Sequence, residues 1–407
     1  MPVKSNRDTY HDFGGKLAQP GMRSVVGDYI KWRRGEMDHD EWIKLATPLS
    51  INLDLTTACN YACDHCIDWD SLNSPIRHDM VVLRDSLKEL AGRGMRSVIL
   101  IGGGEPTLHP EFSETIRFLK QELNQQVAVV SNGSRNDVIA GAASYMSTGD
   151  WVRLSLDSGT NATFQAMHRP KNNLSLESIC ISAAGIKQAN PDITLGFSFI
   201  ITWNGAHRDD VEVIANIDEM ESAAQIAREH GFDYISFKPF LSRTVEGTEI
   251  MDVAQAQAQS DALAKIGEGL EAARALEQDQ SGFRVLESTN LRVLLDGSWR
   301  ELTKQPRVCH MQALRQVVSP LGVFNCPAYR GVARARIGNS GAWAGVSGVE
   351  PPAARATAAI LDRFDASCEC SEVTCLYNST NLMLQDLIDN GGNMAEVEAV
   401  AKADFFL

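Results

Sequence analysis

From residue 51 onward, short apolar runs alternate with stretches in which apolar residues recur at helical spacing. The predicted strands are 51–57, 96–104, 126–133, 151–157, 194–202 and 234–240, and the predicted helices between them are 78–94, 111–123, 136–147, 175–189 and 209–230. Strands that alternate with helices indicate a parallel sheet covered by helices. A complete eight-unit barrel needs about 250 residues. Six units in 190 residues therefore predict a partial (β/α)6 barrel.

The pattern changes on both sides of these units. The predicted elements there are one short helix at 28–35, an alanine-rich bridging helix at 252–278, β-structure at 283–330, a loop at 338–358, and helices at 380–389 and about 394–403. The strands FRVLES, NLRVLLDG and RQVVSPLGVFNC are expected in the β-structure, with a hairpin turn at residues 319–322. We therefore expect an N-terminal lead-in (1–50), a partial barrel (51–245), a linker helix with strands (246–305) and a small α+β domain (306–407).

Composition narrows the class of protein. The chain has 407 residues, 44% of them hydrophobic and 22% charged, and a net charge of -14. These values exclude a mainly disordered chain, and the acidic balance argues against nucleic acid as a partner. No apolar run reaches the roughly 18 residues of a membrane span, and the polar N-terminus lacks the apolar core of a signal peptide. We expect a cytoplasmic protein with reduced thiols and no membrane partner.

The cysteines carry most of the chemical information. There are nine of them, at positions 59, 63, 66, 180, 309, 326, 368, 370 and 375. An odd number cannot pair completely, and clustered cysteines in a chain of this kind indicate metal or iron–sulfur ligands. Cys180 lies alone in a helical run and is expected in the core.

The first group, Cys59-x3-Cys63-x2-Cys66, directly follows the first predicted strand. Three thiolates on one loop can hold three irons of a [4Fe–4S] cluster and leave the fourth iron open. Structural zinc usually has four protein ligands, so His65 in the same loop keeps a Cys3His zinc site as an alternative. The spacing favours iron–sulfur over zinc.

The second predicted strand ends in the sequence GGGEP (102–106). Glycines at a strand end let the backbone approach a ligand closely, and the neighbouring carboxylate can receive an ammonium group. Alone, this pattern is a weak signal because most glycine-rich turns bind nothing.

Together the two motifs resemble those of the radical S-adenosylmethionine (radical SAM) superfamily. That family has a C-x3-C-x2-C loop after strand one and a G-G-E-P-type motif after strand two. Here the loop is CNYACDHC, in which His65 takes the place of the usual aromatic ring, and IGGGEPTLHP matches the second motif. The resemblance extends over about residues 50–240 and implies a partial TIM-like barrel.

The resemblance also implies a cofactor site. In it, Cys59, Cys63 and Cys66 would ligate a [4Fe–4S] cluster whose open iron binds S-adenosylmethionine. The residues with implied contacts to that cofactor are His65 (aromatic-ring position), Gly103, Gly104 and Glu105 (amino group), Ser131 and Asn132 (ribose), Ser155 and Asp157 (strand four) and Arg169 (in MHRP). An electron from a donor such as flavodoxin or ferredoxin would cleave the cofactor to a 5′-deoxyadenosyl radical, which removes a hydrogen atom from substrate.

The late cysteines resemble the SPASM domain of this family, or its shorter twitch form. Cys309, Gly322 and Cys326 match the start of that pattern, and five cysteines support one auxiliary [4Fe–4S] cluster. The expected ligands are Cys309, Cys326, Cys370 and Cys375, with Cys368 as the alternative to Cys370. The remaining thiol, Cys368, is then a candidate hydrogen-atom donor to a substrate radical. A zinc ribbon is the alternative, because four thiolates also suit zinc.

The sequence says less about the substrate. The 58 residues before Cys59 are too few to form a cobalamin-binding domain. They are also short for the winged-helix domain that recognises a leader peptide in many peptide-modifying members of the family. We therefore expect a small-molecule oxidoreductase, without cobalamin, that oxidises or epimerises a sugar, aminocyclitol or nucleoside in natural-product biosynthesis. The alternatives are a maturase that modifies or crosslinks a ribosomal peptide, and a non-catalytic metal-binding scaffold.

Overall fold

The structure is a computed structural model that describes residues 11–172, 174–244, 247–258, 261–278, 282–345 and 349–407. Its main feature is a ten-stranded sheet. The strands are β1 (Ser50–Leu53), β2 (Ser97–Leu100), β3 (Gln126–Ser131), β4 (Trp151–Ser155), β5 (Thr194–Ile201), β6 (Tyr234–Pro239), β7 (Arg284–Glu287), β8 (Arg315–Ser319), β9 (Gly322–Phe324) and β10 (Arg336–Gly338). Their order across the sheet is β7-β6-β5-β4-β3-β2-β1-β8-β9-β10.

Strands β1 to β6 lie side by side in sequence order and are parallel, which confirms the predicted (β/α)6 TIM-like arrangement. Two further parallel strands extend it, β7 beside β6 and β8 beside β1. Every residue of β1, β2 and β8 is buried, as expected for a parallel sheet covered on both faces. The predicted hairpin is present, since Ser319 pairs with Gly322 in the antiparallel β8–β9 ladder.

The α-helices cover this sheet and its flanks. They are α1 (Phe13–Leu17), α2 (Pro20–Arg33), α3 (His39–Leu45), α4 (Met80–Arg93), α5 (Phe112–Arg117), α6 (Asn136–Ala143), α7 (Asn161–His168), α8 (Leu176–Ala189), α9 (Met220–Glu229), α10 (Val253–Ala258), α11 (Ala262–Ala275), α12 (Thr289–Leu295), α13 (Met311–Leu314), α14 (Pro352–Arg363), α15 (Ala366–Glu369) and α16 (Asn378–Asn390). A π-helical turn, Phe118–Glu122, extends α5. Two small hairpins pair His207–Arg208 with Val211–Glu212, and Ser242–Arg243 with Glu249–Ile250.

Several predicted elements were wrong. The N-terminal region holds three helices rather than one, and NLRVLLDG forms α12 instead of a strand because Ser288 caps it by accepting a hydrogen bond from the Leu291 amide. The predicted loop at 338–358 contains the start of α14, and residues 346–348 lie outside the described residues. The predicted helix at 394–403 is a single 3-10 turn, Met394–Glu396, followed by extended chain. The predicted helix at 209–230 forms only from Met220 onward, after a hairpin.

The extended C-terminal segment, residues 404–407, lies across the N-terminal ends of the parallel strands. The Ser97 hydroxyl donates to the Phe405 carbonyl oxygen at 2.7 Å, and the Phe406 ring packs edge-on against Trp151 with ring centroids 5.4 Å apart. Lys16 contacts both the Asp404 carboxylate (2.9 Å) and the Phe406 carbonyl oxygen (2.8 Å). This segment therefore covers the end of the barrel opposite the cysteine loop.

Across the described ranges, the structure contains no helix long and apolar enough to cross a membrane.

Candidate active site

The loop that carries the first three cysteines leaves the C-terminal end of β1, where parallel sheets place their chemistry. Backbone hydrogen bonds attach it to the C-terminal end of α7: the Ala62 amide donates to His168 and the Asp64 amide to Met167. The Cys59 amide donates to the Asn73 side chain at 3.0 Å. These contacts fix the backbone around Cys59 and Cys63, so the thiols are held in a defined loop.

His65 lies in this loop with both ring nitrogens engaged. Nδ1 is 2.9 Å from Asp64 Oδ1, and Nε2 is 3.2 Å from Asp157 Oδ2. Burial lowers the pKa of His65, but the hydrogen bonds to Asp157 and Asp64 outweigh it and raise that pKa to about 9. Both ring nitrogens are thus hydrogen-bonded to carboxylates, which argues against the Cys3His zinc alternative, although ligand atoms of Cys63, His65 and His168 lie within 4.8 Å of one another.

Sequence reasoning missed His168, the last residue of α7. Its Nδ1 is 3.3 Å from Cys63 Sγ, and its Nε2 is 3.0 Å from the Leu156 carbonyl oxygen. Since a carbonyl only accepts, Nε2 carries the proton. The neighbouring Arg169, which the MHRP segment suggested, is exposed, and its Nε donates to Ala166. The structure thus places His168 beside the cysteines and does not bring Arg169 to them.

The three thiols are partly buried and lie near carboxylates. Burial raises the pKa of Cys59 and Cys63, and it raises the pKa of Cys66 to about 12. Such thiols ionise only when a bound cation stabilises the thiolates. No three thiol sulfurs of the described residues all lie within 4.8 Å of one another. Tetrahedral zinc, with Zn–S bonds of about 2.3 Å, requires sulfur separations of about 3.8 Å. The wider spacing fits a multi-iron cluster.

The glycine-rich end of β2 packs against the backbone of the cysteine loop. The Glu105 amide donates to the Ala58 carbonyl oxygen at 2.8 Å. A Cβ on Gly104 would lie 2.4 Å from that same oxygen, so only glycine permits the approach. The motif and the cysteine loop are therefore in direct contact, as the resemblance requires.

Replacing Gly104 with alanine is expected to separate these two loops. The new methyl group would meet rigid backbone, so we expect a loss of about 1–3 kcal/mol in the free energy of unfolding and weaker cofactor cleavage. Thermal unfolding measures the first effect. Gly92→Ala is the matched control, because the space around that helical glycine is open. Equal unfolding midpoints for the two variants would contradict the contact.

Glu105 ties the ends of β2 and β3 together. Its carboxylate accepts hydrogen bonds from the Thr107 amide (3.1 Å) and hydroxyl (2.6 Å), the Ser131 hydroxyl (2.9 Å) and the Asn132 amide (2.7 Å). The Asn132 side chain also donates to Asn60 in the cysteine loop at 2.9 Å. The buried Glu105 carboxylate thus holds two of the other predicted cofactor-contacting residues, Ser131 and Asn132, in place.

A second unpredicted residue, Arg330, reaches this site from the C-terminal part of the chain. Its Nη1 is 2.8 Å from Asp68 Oδ2, and its Nε is 3.1 Å from Asp54 Oδ2. A Cβ on Gly102, whose φ is +69°, would lie 2.5 Å from the guanidinium. Arg330 follows Cys326 by four residues, so it links the late cysteines to the glycine-rich motif.

The barrel encloses a cavity of about 1070 Å³ that begins at the cysteine loop. Cys63, Cys66 and His65 line its upper part, together with Ser155 and Asp157 at the end of β4. Asp157 also accepts a hydrogen bond from the Ile200 amide at 2.7 Å, which holds its side chain in place. The residues predicted on strand four therefore face the space next to the cysteines.

Four of the five late cysteines come together: Cys309, Cys326, Cys370 and Cys375. Burial, followed by the charges of the other three thiols, raises the pKa of Cys326. Asn381 donates to Cys309 Sγ at 3.4 Å, and the Tyr329 hydroxyl lies 3.5 Å from Cys370 Sγ. Cys368 is exposed outside this group, and Cys180 is buried in α8.

Comparison with known proteins agrees with this arrangement. Residues 53–241 match the family model of the radical SAM superfamily. An S-adenosylmethionine-dependent nucleotide dehydratase from Thermoplasmatales archaeon (strain ISO4-H5) is 34% identical over 111 residues, which are 27% of this chain and 38% of that protein. Mycofactocin maturase MftC from Mycolicibacterium smegmatis is 27% identical over 194 residues, 46% of this chain and 43% of that protein.

Among solved structures, native anSMEcpe with bound AdoMet is similar, with a TM-score of 0.53 and 14% identity over 84% of this chain and 98% of that one. This likeness concerns the fold. Residues 53–241 therefore form a radical SAM domain, and that family uses S-adenosylmethionine and a [4Fe–4S] cluster. The two curated relatives are matched over less than half of their own lengths.

Proposed function

We propose that this protein is a radical SAM enzyme that removes a hydrogen atom from a small molecule held inside the barrel. The lumen cavity of about 1070 Å³ is the observation that carries this proposal. It begins at the cysteine loop, and residues 404–407 cover the opposite end of the barrel. Such a cavity suits a compact substrate placed directly below the cofactor.

In this proposal Cys59, Cys63 and Cys66 hold the cluster, and together the cluster and S-adenosylmethionine supply a 5′-deoxyadenosyl radical. The chain's own residues position the cofactor and exclude water. The Gly103 and Gly104 backbone and Glu105 lie against the cysteine loop, where they would receive the amino group. The residues proposed to contact the rest of the cofactor are Ser131, Asn132, Ser155 and Asp157.

The proposed reaction is an oxidation. In it, Cys309, Cys326, Cys370 and Cys375 hold an auxiliary [4Fe–4S] cluster that accepts the second electron. Epimerisation needs a hydrogen-atom donor next to the substrate, and Cys368 is exposed and does not line the lumen cavity. The position of Cys368 therefore favours oxidation over epimerisation.

Replacing Cys309 with alanine is expected to remove the auxiliary cluster alone. Iron and labile sulfide should fall by about half, from roughly eight to roughly four of each per chain, with some S-adenosylmethionine cleavage retained. Cys368→Ala is the control and should keep the full iron content. Unchanged iron in Cys309→Ala would contradict the assignment of this thiol.

Peptide modification is the second candidate, because one relative is named as a maturase. The nucleotide dehydratase relative and the lumen cavity favour a small molecule. Transfer of deuterium from labelled candidate substrates into 5′-deoxyadenosine distinguishes the two. Transfer from a sugar or nucleotide, with none from peptides, is the expected result. Transfer from a peptide alone would overturn the small-molecule proposal.

A further inference from the structure

Three cationic side chains from different strands line the lumen cavity. Arg153 lies on β4, Lys238 on β6 and Arg315 on β8, and all three line the cavity. Among the described residues, no carboxylate oxygen lies within the 4.0 Å ion-pair distance of any of their charged nitrogens. Arg315 is buried, Arg153 and Lys238 are partly buried, and the Arg153 guanidinium lies 5.4 Å from the centroid of the Trp151 ring. Charges withdrawn from water are ordinarily paired with opposite charges, so cations without a carboxylate partner around one cavity require an explanation.

The neutral contacts of these cations leave donors unused. Arg315 donates to Asn52 at 2.6 Å and to Ser50 at 3.3 Å, while Lys238 Nζ is 3.4 Å from the Ser198 hydroxyl. The Nε atoms of Arg153 and Arg315 are buried and have no hydrogen-bond partner among the described residues. These guanidinium groups therefore retain unsatisfied donors next to empty space.

Two of these positive charges, those of Arg153 and Lys238, act on the same region. Burial, followed by the charge of Arg153, lowers the pKa of Lys238. Burial also lowers the pKa of His11 to about 3, and the charges of Lys16, Lys238 and Arg153 contribute to that shift. Like charges that depress each other's ionisation are unfavourable until an anion binds between them.

The carboxylates that line the same cavity are engaged elsewhere. Asp157 pairs with His65, Asp233 with Lys187, and Asp404 with Lys16. Glu249 is the exception, and burial raises its pKa to about 7, which favours its neutral form below that pH. The lumen thus offers more unpaired positive than negative charge, in a chain whose net charge is -14.

We infer that the lumen contains an anion-binding site in which Arg153 and Lys238 hold a phosphate or carboxylate group of the substrate. This inference rests on the proposed function and narrows its substrate class to anionic small molecules. Guanidinium groups bind both anions through paired hydrogen bonds. The arrangement also orients the substrate, since a fixed anionic end determines which C–H bonds face the cysteine loop.

The test measures anion binding to the reconstituted holoenzyme saturated with S-adenosylmethionine. Inorganic phosphate, pyrophosphate and succinate are titrated at constant ionic strength, with chloride as the reference, by equilibrium dialysis and thermal unfolding. We expect at least one of the three probes to bind and raise the unfolding midpoint. Preference for the phosphates indicates a phosphorylated substrate, and preference for succinate indicates a carboxylic acid.

Variants assign the binding to Arg153 and Lys238. Arg153→Gln and Lys238→Met should each weaken it by about tenfold or more, as the loss of a charge-assisted hydrogen bond predicts. Arg153→Lys should restore part of the affinity. Arg355→Gln is the control, because Arg355 forms an exposed ion pair with Asp40. Iron content and circular dichroism verify that each variant is folded. If Arg153→Gln does not fold, the anion affinity of the conservative Arg153→Lys variant is measured instead.

Three results would overturn the inference: no probe binds better than chloride, the variants bind as well as the wild type, or saturating S-adenosylmethionine abolishes binding. The last result would show that these cations bind the cofactor's carboxylate. The test does not require turnover. A protein that binds anions but forms no 5′-deoxyadenosine would therefore contradict the proposed function and leave the anion site intact.

Discussion

Replacing Cys59 with alanine is expected to abolish cleavage of S-adenosylmethionine. Three thiolates hold the cluster in this account, and loss of one leaves too few ligands to keep it in the loop. The measurement is 5′-deoxyadenosine formed by the reconstituted variant with a strong reductant. Iron should also fall by about four per chain.

Cys368→Ala is the matched control for that variant, because Cys368 is exposed and lies outside both cysteine groups. It should form 5′-deoxyadenosine as the wild type does. Wild-type amounts of product from Cys59→Ala would contradict the ligand assignment of the loop.

Replacing Arg330 with methionine is expected to destabilise the protein by about 3–5 kcal/mol, because the buried carboxylates of Asp54 and Asp68 lose their shared cation. Burial already raises the pKa of Asp54 from 3.8 to about 7. The positive charge of Arg330 lowers this pKa and the negative charge of Asp68 raises it, but burial has the largest effect. The folded state therefore binds the proton more tightly than the unfolded state. Stability from this group is present at low pH and falls as the pH rises from about 4 to about 7.

Without Arg330 the pKa of Asp54 should rise further, so the variant should lose more stability at pH 8 than at pH 6. Thermal unfolding at the two pH values measures this difference. Arg355→Met, which removes an exposed ion pair, should change stability by less than about 1 kcal/mol at either pH. A pH-independent loss in Arg330→Met would contradict the electrostatic explanation.

The sequence predicted the parallel sheet well because its strands are continuous apolar runs that end in turn residues. SVIL in β2 and QVAVVS in β3 leave little ambiguity. The segment NLRVLLDG was ambiguous, since its spacing suits a strand or a short helix. The Ser288 cap favours the helix there. Strand β7 contributes a seventh parallel position that the count of six units did not include.

The candidate site was predictable where its residues share a local motif. The cysteine loop and the GGGEP segment are contiguous in sequence, so spacing alone indicated them. Arg330 and His168 were not predictable, because they reach the loop across 262 and 105 residues of chain from Asp68 and Cys63. The cations Arg153, Lys238 and Arg315 come from three separate strands, and only the folded sheet brings them to one cavity.

The central claim is that this chain holds two iron–sulfur clusters, one at the barrel loop and one at the late cysteines. Iron and acid-labile sulfide analysis of the anaerobically reconstituted protein tests it most directly. The account predicts about eight irons and about eight sulfides per chain. Bound zinc without labile sulfide would contradict this claim. A wild-type protein with only about four irons, and a Cys309→Ala variant with the same iron content, would also contradict it.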